Sequence, residues 1–383
     1  MGFRDDFPPV TAPVAPVAAA SPSFTPPPLA RDAEHRPGVV LGLDLTRAQM
    51  NEVRRLGFAI AGARLLNRLG LVVSRIQPAP GTSALDALDL LRRSLPTVVF
   101  DLDHFYATAA CPGERCAAYE LIDWSPETNQ CGRGLRLGMV DTGVDLAHPA
   151  LQGQSVTSRI ITDDGVASDP GHGTAVASLL VGNGASGFPG LLPAASLYAA
   201  DTFESVAGRP RTSAEFLAAG LDWLAEQPVD VINASVAGPA NRVVLRVIER
   251  LQALSIPLVA AAGNGGPAAA PAYPAAYPGP LAVTAVDGRL FPYRQANRGD
   301  YVSLAAPGVE IWVPGVDGTG QHQRGTSFAA PFVTAAVAAA RARAPEATPV
   351  ELAGILSARA RDLGSPGKDP LYGWGLVQTD GCP

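Results

Sequence analysis

Residues 139–144 read Met-Val-Asp-Thr-Gly-Val. A carboxylate that follows an apolar run and precedes Thr-Gly can serve either of two hydrolytic chemistries. In one, two aspartates share a proton and activate water; in the other, a single aspartate orients a histidine that serves a serine nucleophile. The first needs a second Asp-Thr/Ser-Gly, and the chain has none. A symmetric partner chain can supply one, but chains of that kind are short, and this one continues far beyond Asp141 with other chemistry in it.

Gly171-His172-Gly173-Thr174 comes next, followed by the small and apolar residues AVASLLVG. They predict a buried helix with His172 in its first turn and glycines on both sides giving the backbone room. A lone histidine at a helix start is usually structural, so its weight depends on its company. Gly325-Thr326-Ser327-Phe328-Ala329-Ala330-Pro331 opens a second small-residue helix. A serine there is commonly a cap, yet a cap requires neither the preceding glycine nor the proline, and the helix dipole favours negative charge developing at that end. Between them, Ala261-Ala262-Gly263-Asn264-Gly265 ends a strand. Asn beside Gly ordinarily marks a turn, but a side-chain amide next to a reacting carbonyl is an oxyanion donor.

These residues need elements to hold them. From residue 135 onward LRLGMVD, SLYAADTF, VDVINAS, PLVAAAG and LAVTAVD read as strands buried on both faces, with helical segments between several of them. The expectation is an α/β fold, a doubly wound parallel sheet with helices on both faces, whose ligands bind at the carboxyl ends of strands, where Asp141 lies. Residues 1–37 are a Pro/Ala-rich tail expected to be disordered. Residues 38–106 form a separate unit: VVLGLDL, LVVSRIQP and TVVFDLD read as strands, with TRAQMNEVRRLG and SALDALDLLRRSL as helices, the second opened by Thr82 or Ser83. That alternation predicts a small ferredoxin-like α+β domain. Residues 107–134 read as a cysteine-containing connector, and 135–383 as the catalytic domain.

In their order and settings, VDTGV, GHGT, AAGNGG and GTSFAAP resemble the subtilisin-like serine protease family, over about residues 135–378 and including the closing Tyr372-Gly373-Trp374-Gly375. The resemblance implies a serine endopeptidase. Asp141 would orient His172, His172 would take the proton of Ser327, and Ser327 would form an acyl-enzyme that water resolves. Asn264 and the Ser327 amide would hold the oxyanion. Ser235, Val236, Ala237 and Gly238 resemble the family's substrate-pairing edge strand, with Ala262 and Gly263 across the first pocket. Where the family commonly has Ser-Leu-Gly-Gly this chain has Ser-Val-Ala-Gly; the Ala237 methyl narrows that pocket, and because Gly265 after Asn264 removes any acidic side chain there, the expected P1 residue is apolar, with acidic P1 residues left open. The N-terminal unit resembles a propeptide that occupies the cleft and is removed by self-cleavage between about Tyr106 and Ala110. Two rivals keep the fold: a ligase or macrocyclase in which an amine intercepts the acyl-enzyme, and a non-catalytic binding module, against which all four site residues weigh.

Composition narrows the partners. Of 383 residues 47% are hydrophobic and 17% charged, and the net charge is −6, which fits a globular body binding polypeptide and argues against a nucleic-acid binder. The apolar run from Phe328 to Ala340 is too short to cross a bilayer, so no membrane span is expected. No export signal is visible in MGFRDDFPPV, where Arg4, Asp5 and Asp6 interrupt the place of its apolar stretch. Four cysteines match no zinc pattern and allow three pairings; two disulfides are expected, Cys111 with Cys116 and Cys131 with Cys382, in an extracellular or periplasmic setting. No cofactor is required. The resemblance raises structural calcium, for which Asp145, Asp163, Asp164 and Asn183 are oxygen donors without a dense ligand loop.

Overall fold

The computed structural model of the protein describes residues 35–79, 81–108, 111–112, 118–124 and 130–382. The expected tail therefore lies, up to residue 34, outside the described residues. The chain first forms β1 (His35–Leu43), α1 (Arg47–Arg55), β2 (Ala59–Leu66), β3 (Leu71–Gln77), α2 (Ala84–Ser94) and β4 (Phe100–Thr108). Two short elements follow, β5 (Cys111–Pro112) and α3 (Ala118–Leu121). The larger body begins with β6 (Arg136–Asp141), β7 (Ser155–Ile160), α4 (Gly171–Val181), β8 (Ser196–Asp201), β9 (Phe203–Val206), β10 (Arg209–Ser213) and α5 (Ala214–Glu226). It continues with β11 (Val231–Ala234), β12 (Val236–Ala237), α6 (Arg242–Ala253), β13 (Leu258–Ala261), β14 (Leu281–Val286) and β15 (Val302–Pro307). It closes with β16 (Ile311–Pro314), β17 (Gly320–Arg324), α7 (Thr326–Arg343) and α8 (Pro349–Arg359).

The expected doubly wound sheet is present, in the order β15-β14-β13-β11-β6-β8-β7 and parallel throughout. Its central strands alternate faces without alternating polarity, because both faces are covered. On one side Leu137, Met139 and Val259 pack with α4 and α7 residues such as Val176, Leu180, Phe332 and Val333. On the other Val140, Ile232 and Ala260 pack with Leu217, Leu221 and Leu224 of α5 and with Val244, Val247 and Leu251 of α6. Cys131 and Cys382 are joined, with Cα atoms 5.4 Å apart across 251 residues of sequence. The other expected pair, Cys111 with Cys116, lies outside the described side chains.

The N-terminal unit has the order β2-β3-β1-β4 with two helices on one face, the ferredoxin-like arrangement. Thr46 caps α1 and Ser83, not Thr82, caps α2. Its two sheet faces have different fates. Val40, Ile76, Phe100 and Leu102 pack under α1 and α2 with Val53, Leu88 and Leu91. Leu41, Leu43, Leu71 and Val73 face the other way and join the cluster that contains α5 and α6. Half of this small sheet is thus buried only by the larger body; each Leu or Val so covered contributes roughly 1.5–3 kcal/mol relative to exposure.

Three expectations about boundaries need correction. His35–Pro37, placed in the tail, belong to β1. β4 does not close by residue 106 but continues to Thr108, and Cys111–Pro112 of the expected connector is a strand. The reason is the same for the last two: backbone edges of the larger body supply hydrogen-bond partners that no local pattern announces. Phe105 and Tyr106 pair with Ser213 and Thr212 of β10, Ala107 and Thr108 with Ala237 and Val236 of β12, and Cys111 and Pro112 with Arg324 and Gln323 of β17.

Candidate active site

Asp141 is the last residue of the central strand β6 and is fully buried. Its Oδ1 accepts the N–H of Thr142 at 2.7 Å and lies 2.6 Å from His172 Nδ1. The contact depends on how closely α4 approaches the loop after β6. A Cβ on Gly173 would sit 2.3 Å from the carbonyl oxygens of both Thr142 and Gly143, so only glycine lets the helix start there. Gly173 N–H also donates to Thr142 Oγ1 at 2.9 Å. A carboxylate on Nδ1 places the ring proton at that nitrogen and leaves Nε2 as the base. Nε2 is buried and, among the described residues, has no hydrogen-bond partner; the ring packs against Phe328, centroids 5.2 Å apart.

Asp201 stands beside Asp141 in the β6–β8 register. Ser168 donates to its carboxylate through both N–H and hydroxyl at 2.8 Å, and Ser168 Oγ accepts Gly143 N–H at 2.8 Å. Burial pushes the Asp201 carboxyl up from its usual range, opposed by the Ser168 bonds and reinforced by the negative Asp141. This second carboxylate fixes the loop that carries Asp141.

Ser327 lies in the first turn of α7, after Gly325 at φ +142°. Asn264 follows β13, and its orientation is settled by Thr326, whose N–H and hydroxyl donate to Asn264 Oδ1 at 3.0 and 3.1 Å. The Thr326 oxygen in turn accepts Gly263 N–H at 3.1 Å. The Asn264 NH₂ is buried without a partner among the described residues, a donor held ready beside the helix N-terminus. The Ser327 carbonyl accepts the Ser235 hydroxyl at 2.9 Å, and Ser235 is held by Asn233, which also takes the Thr334 hydroxyl. The Ser327 hydroxyl itself is turned to the Ser235 carbonyl at 3.4 Å rather than to His172. That carbonyl offers the hydroxyl an acceptor in a buried setting.

The expected substrate-binding residues form two walls. Val236 and Ala237 make the β12 edge, and Gly238 is bridged to Tyr273. Opposite, Ala262 gives its carbonyl to the Tyr301 hydroxyl at 2.7 Å, and Gly263 has φ +103°. Ala272 packs against Gly263: its Cβ is 2.8 Å from where a Gly263 side chain would begin. Ser235 contributes backbone to the groove but spends its side chain on Asn233 and Ser327.

The calcium donors are committed elsewhere. Asp163 binds Arg64 and Arg75 of the N-terminal unit, Asp164 accepts Thr162 and Val166, Asp145 accepts Ala147 N–H, and Asn183 accepts Ala185 N–H. Among the described residues no three His, Cys, Asp or Glu side chains gather around a metal position.

Sequence comparison decides what such a site belongs to: residues 132–375 match the family described as Subtilase family. The chain belongs to the Subtilase family. Among its relatives, Subtilisin DY of Bacillus licheniformis is 30% identical over 254 residues, 65% of this chain and 90% of that protein. Subtilisin E of Bacillus subtilis (strain 168) is 31% identical over 254 residues, 65% of either chain, so this chain spans just under two thirds of it. Fervidolysin of Fervidobacterium pennivorans is 32% identical over 65% of this chain and 40% of its own length. Its crystal structure, described as a keratinolytic enzyme related to subtilisin, shares the fold at TM-score 0.77 and 24% identity, covering 91% of this chain and 61% of that one. The chain is therefore a subtilisin-like serine protease, a hydrolase, with an α/β subtilisin-like fold. Thr326, Ser168 and Asp201 were not foreseen in this subtilase site. Thr326 sits inside the Gly-Thr-Ser motif and was open to notice; Ser168 and Asp201 act through contacts that no spacing along the chain encodes.

Proposed function

We propose that the protein is a serine endopeptidase made as a self-processing precursor, with Ser327 as nucleophile, His172 as general base, Asp141 as the group that orients it, and Asn264 with the Ser327 amide as oxyanion donors. The observation that carries this reading is the 2.6 Å contact of His172 Nδ1 with Asp141, beside a buried, unpartnered Asn264 NH₂. In the reaction the Ser327 hydroxyl turns from Ser235 to His172 Nε2, loses its proton there and adds to the scissile carbonyl. The imidazolium then protonates the leaving amine, and water repeats the sequence on the acyl-enzyme.

The substrate polypeptide lies extended along β12, and the first substrate to do so is the chain itself. On one side Ala107 and Thr108 pair with Ala237 and Val236, which directly follow Ser235, whose carbonyl meets the Ser327 hydroxyl. On the other side Cys111 pairs with Arg324, three residues before Ser327. Counting inward from both flanks gives Ala109–Ala110 as the bond offered for cleavage. Alanine at P1 suits a pocket with the Ala237 methyl on one wall and Ala272 packed against Gly263 of the other. The disulfide supports an extracellular or periplasmic setting, as does the likeness to a relative named Minor extracellular protease Epr of Bacillus subtilis (strain 168).

Two measurements test this. Intact mass after folding should show a product beginning at Ala110 for the natural chain and the full-length mass for Ser327→Ala; an uncut natural chain under the same conditions removes self-processing. A fluorophosphonate probe should label the matured protein at Ser327 and fail on His172→Ala; a folded, matured protein that resists the probe removes the nucleophile.

A further inference from the structure

Beyond β17, on the side of Ser327 where the leaving half of a substrate lies, is an open cavity of about 860 Å³. Arg294, Arg298 and Arg324 line it, together with Phe291, Val309 and one acid, Asp287. The Asp287 carboxylate accepts the N–H groups of Arg289 and Phe291, both at 2.9 Å. Among the described residues none of the three arginines forms an ion pair, and the Arg324 Nε is buried without a hydrogen-bond partner. Arg36, Arg64, Arg75 and Arg136, by contrast, each meet a carboxylate. Three unmatched guanidinium groups around one concavity leave a positive field that a carboxylate would complete with charge-assisted, two-pronged hydrogen bonds.

We propose that this cavity is a subsite for an acidic side chain at the second residue after the scissile bond. The position follows from strand geometry. β17 pairs antiparallel with the segment that crosses it, and residues directly opposite each other in such a ladder carry their side chains on the same face. Arg324 points into the cavity, so the residue placed opposite Arg324 directs its side chain there too. In the chain's own segment that place is held by Cys111, two residues beyond Ala109. The protein's own sequence thus leaves the arginines unmatched, and a foreign polypeptide with Asp or Glu at that place gains a contact that the self segment lacks. The inference rests on the protease reading above and names which substrates that site prefers.

The test uses the matured enzyme, its new N-terminus verified by mass, on a peptide library in which the second position after an Ala–Ala bond is varied. Sequenced products should be enriched in Glu and Asp at that position. Paired peptides should show kcat/KM about tenfold higher for Glu than for Gln at low salt, a ratio that shrinks as salt is added. The Arg294→Gln/Arg298→Gln/Arg324→Gln variant should bring the ratio to about one, and Arg294→Gln alone, at an exposed position, reports a partial loss if the triple variant does not fold. Cleavage with Glu and Gln processed equally overturns the subsite while leaving the protease intact, as does a preference that survives the arginine changes. A library in which nothing is cut overturns the protease reading and this one with it.

Discussion

At the scale of single residues, the division of labour in the site predicts which changes slow turnover and which disturb structure. Asn264 holds its carbonyl on Thr326 and keeps its NH₂ free, so Asn264→Leu should leave substrate affinity nearly intact and lower kcat by roughly 100- to 1000-fold. That magnitude is the one known for this kind of donor in a subtilisin; steady-state kinetics on a peptide ester checks it. A rise in KM with kcat unchanged would mean instead that Asn264 binds ground state and transition state alike. Asp141, His172, Asn264 and Ser327 were all legible in the sequence, because each sits in a short stretch of glycine and small residues whose backbone demands are unusual. The residues that hold them were not. Ser168 reaches Asp201 across 33 positions, and neither stands in a motif.

Elements show where local pattern stops informing. Five strands of the central sheet, β6, β8, β11, β13 and β14, announced themselves as unbroken Val/Ala/Leu runs, whereas β2, β7 and β15 did not. Ala59–Leu66 includes Gly62 at a register shift and leaves alternate residues exposed, and Ser155–Ile160 is a polar edge. The helix α5 joins the two bodies. Asp222 in α5 accepts Leu69 N–H from the β2–β3 turn at 2.9 Å, and burial lifts its carboxyl to about 6, opposed by backbone N–H groups of that turn. The sign follows from linkage: a carboxyl whose folded pKa lies above its unfolded value favours the folded state when protonated. Its contribution is therefore present below about pH 4 and is lost as pH rises toward 6. In a Ser327→Ala background, Asp222→Asn should gain thermal midpoint relative to its parent across that window and hold a constant difference above it. A difference that is flat from pH 4 to 7 would show that the carboxyl is not buried by the N-terminal unit.

At the scale of the whole molecule, two devices hold distant parts of the chain. The Cys131–Cys382 bond closes a loop of 251 residues around the larger body. Cys131→Ser, again in Ser327→Ala, should lower the unfolding free energy by about 2–5 kcal/mol, read from the denaturant midpoint, and a reductant should have the same effect on the parent but none on the variant. The second device is charged. Arg36 joins Asp103 and Glu204, and Arg64 and Arg75 share Asp163 and Glu215, so arginines of the small unit meet acids drawn mainly from the large one. Glu215 and Asp103 are almost fully buried, which makes the arrangement costly to break from one side. Nothing in the separate sequences of the two units signals this pairing, since it exists only where their surfaces meet.

The sheet that begins at β2 runs without interruption through β4 into β10 and β9, and β12 borrows the same strand. Scission of one amide at the end of that strand removes none of its lateral bonds. On the proposed self-processing, chemistry and liberation would therefore be separate events: a severed leader would stay gagging the newborn enzyme until the ladder is peeled away, and the onset of work would be set by departure of a fragment and not by the cut that created it.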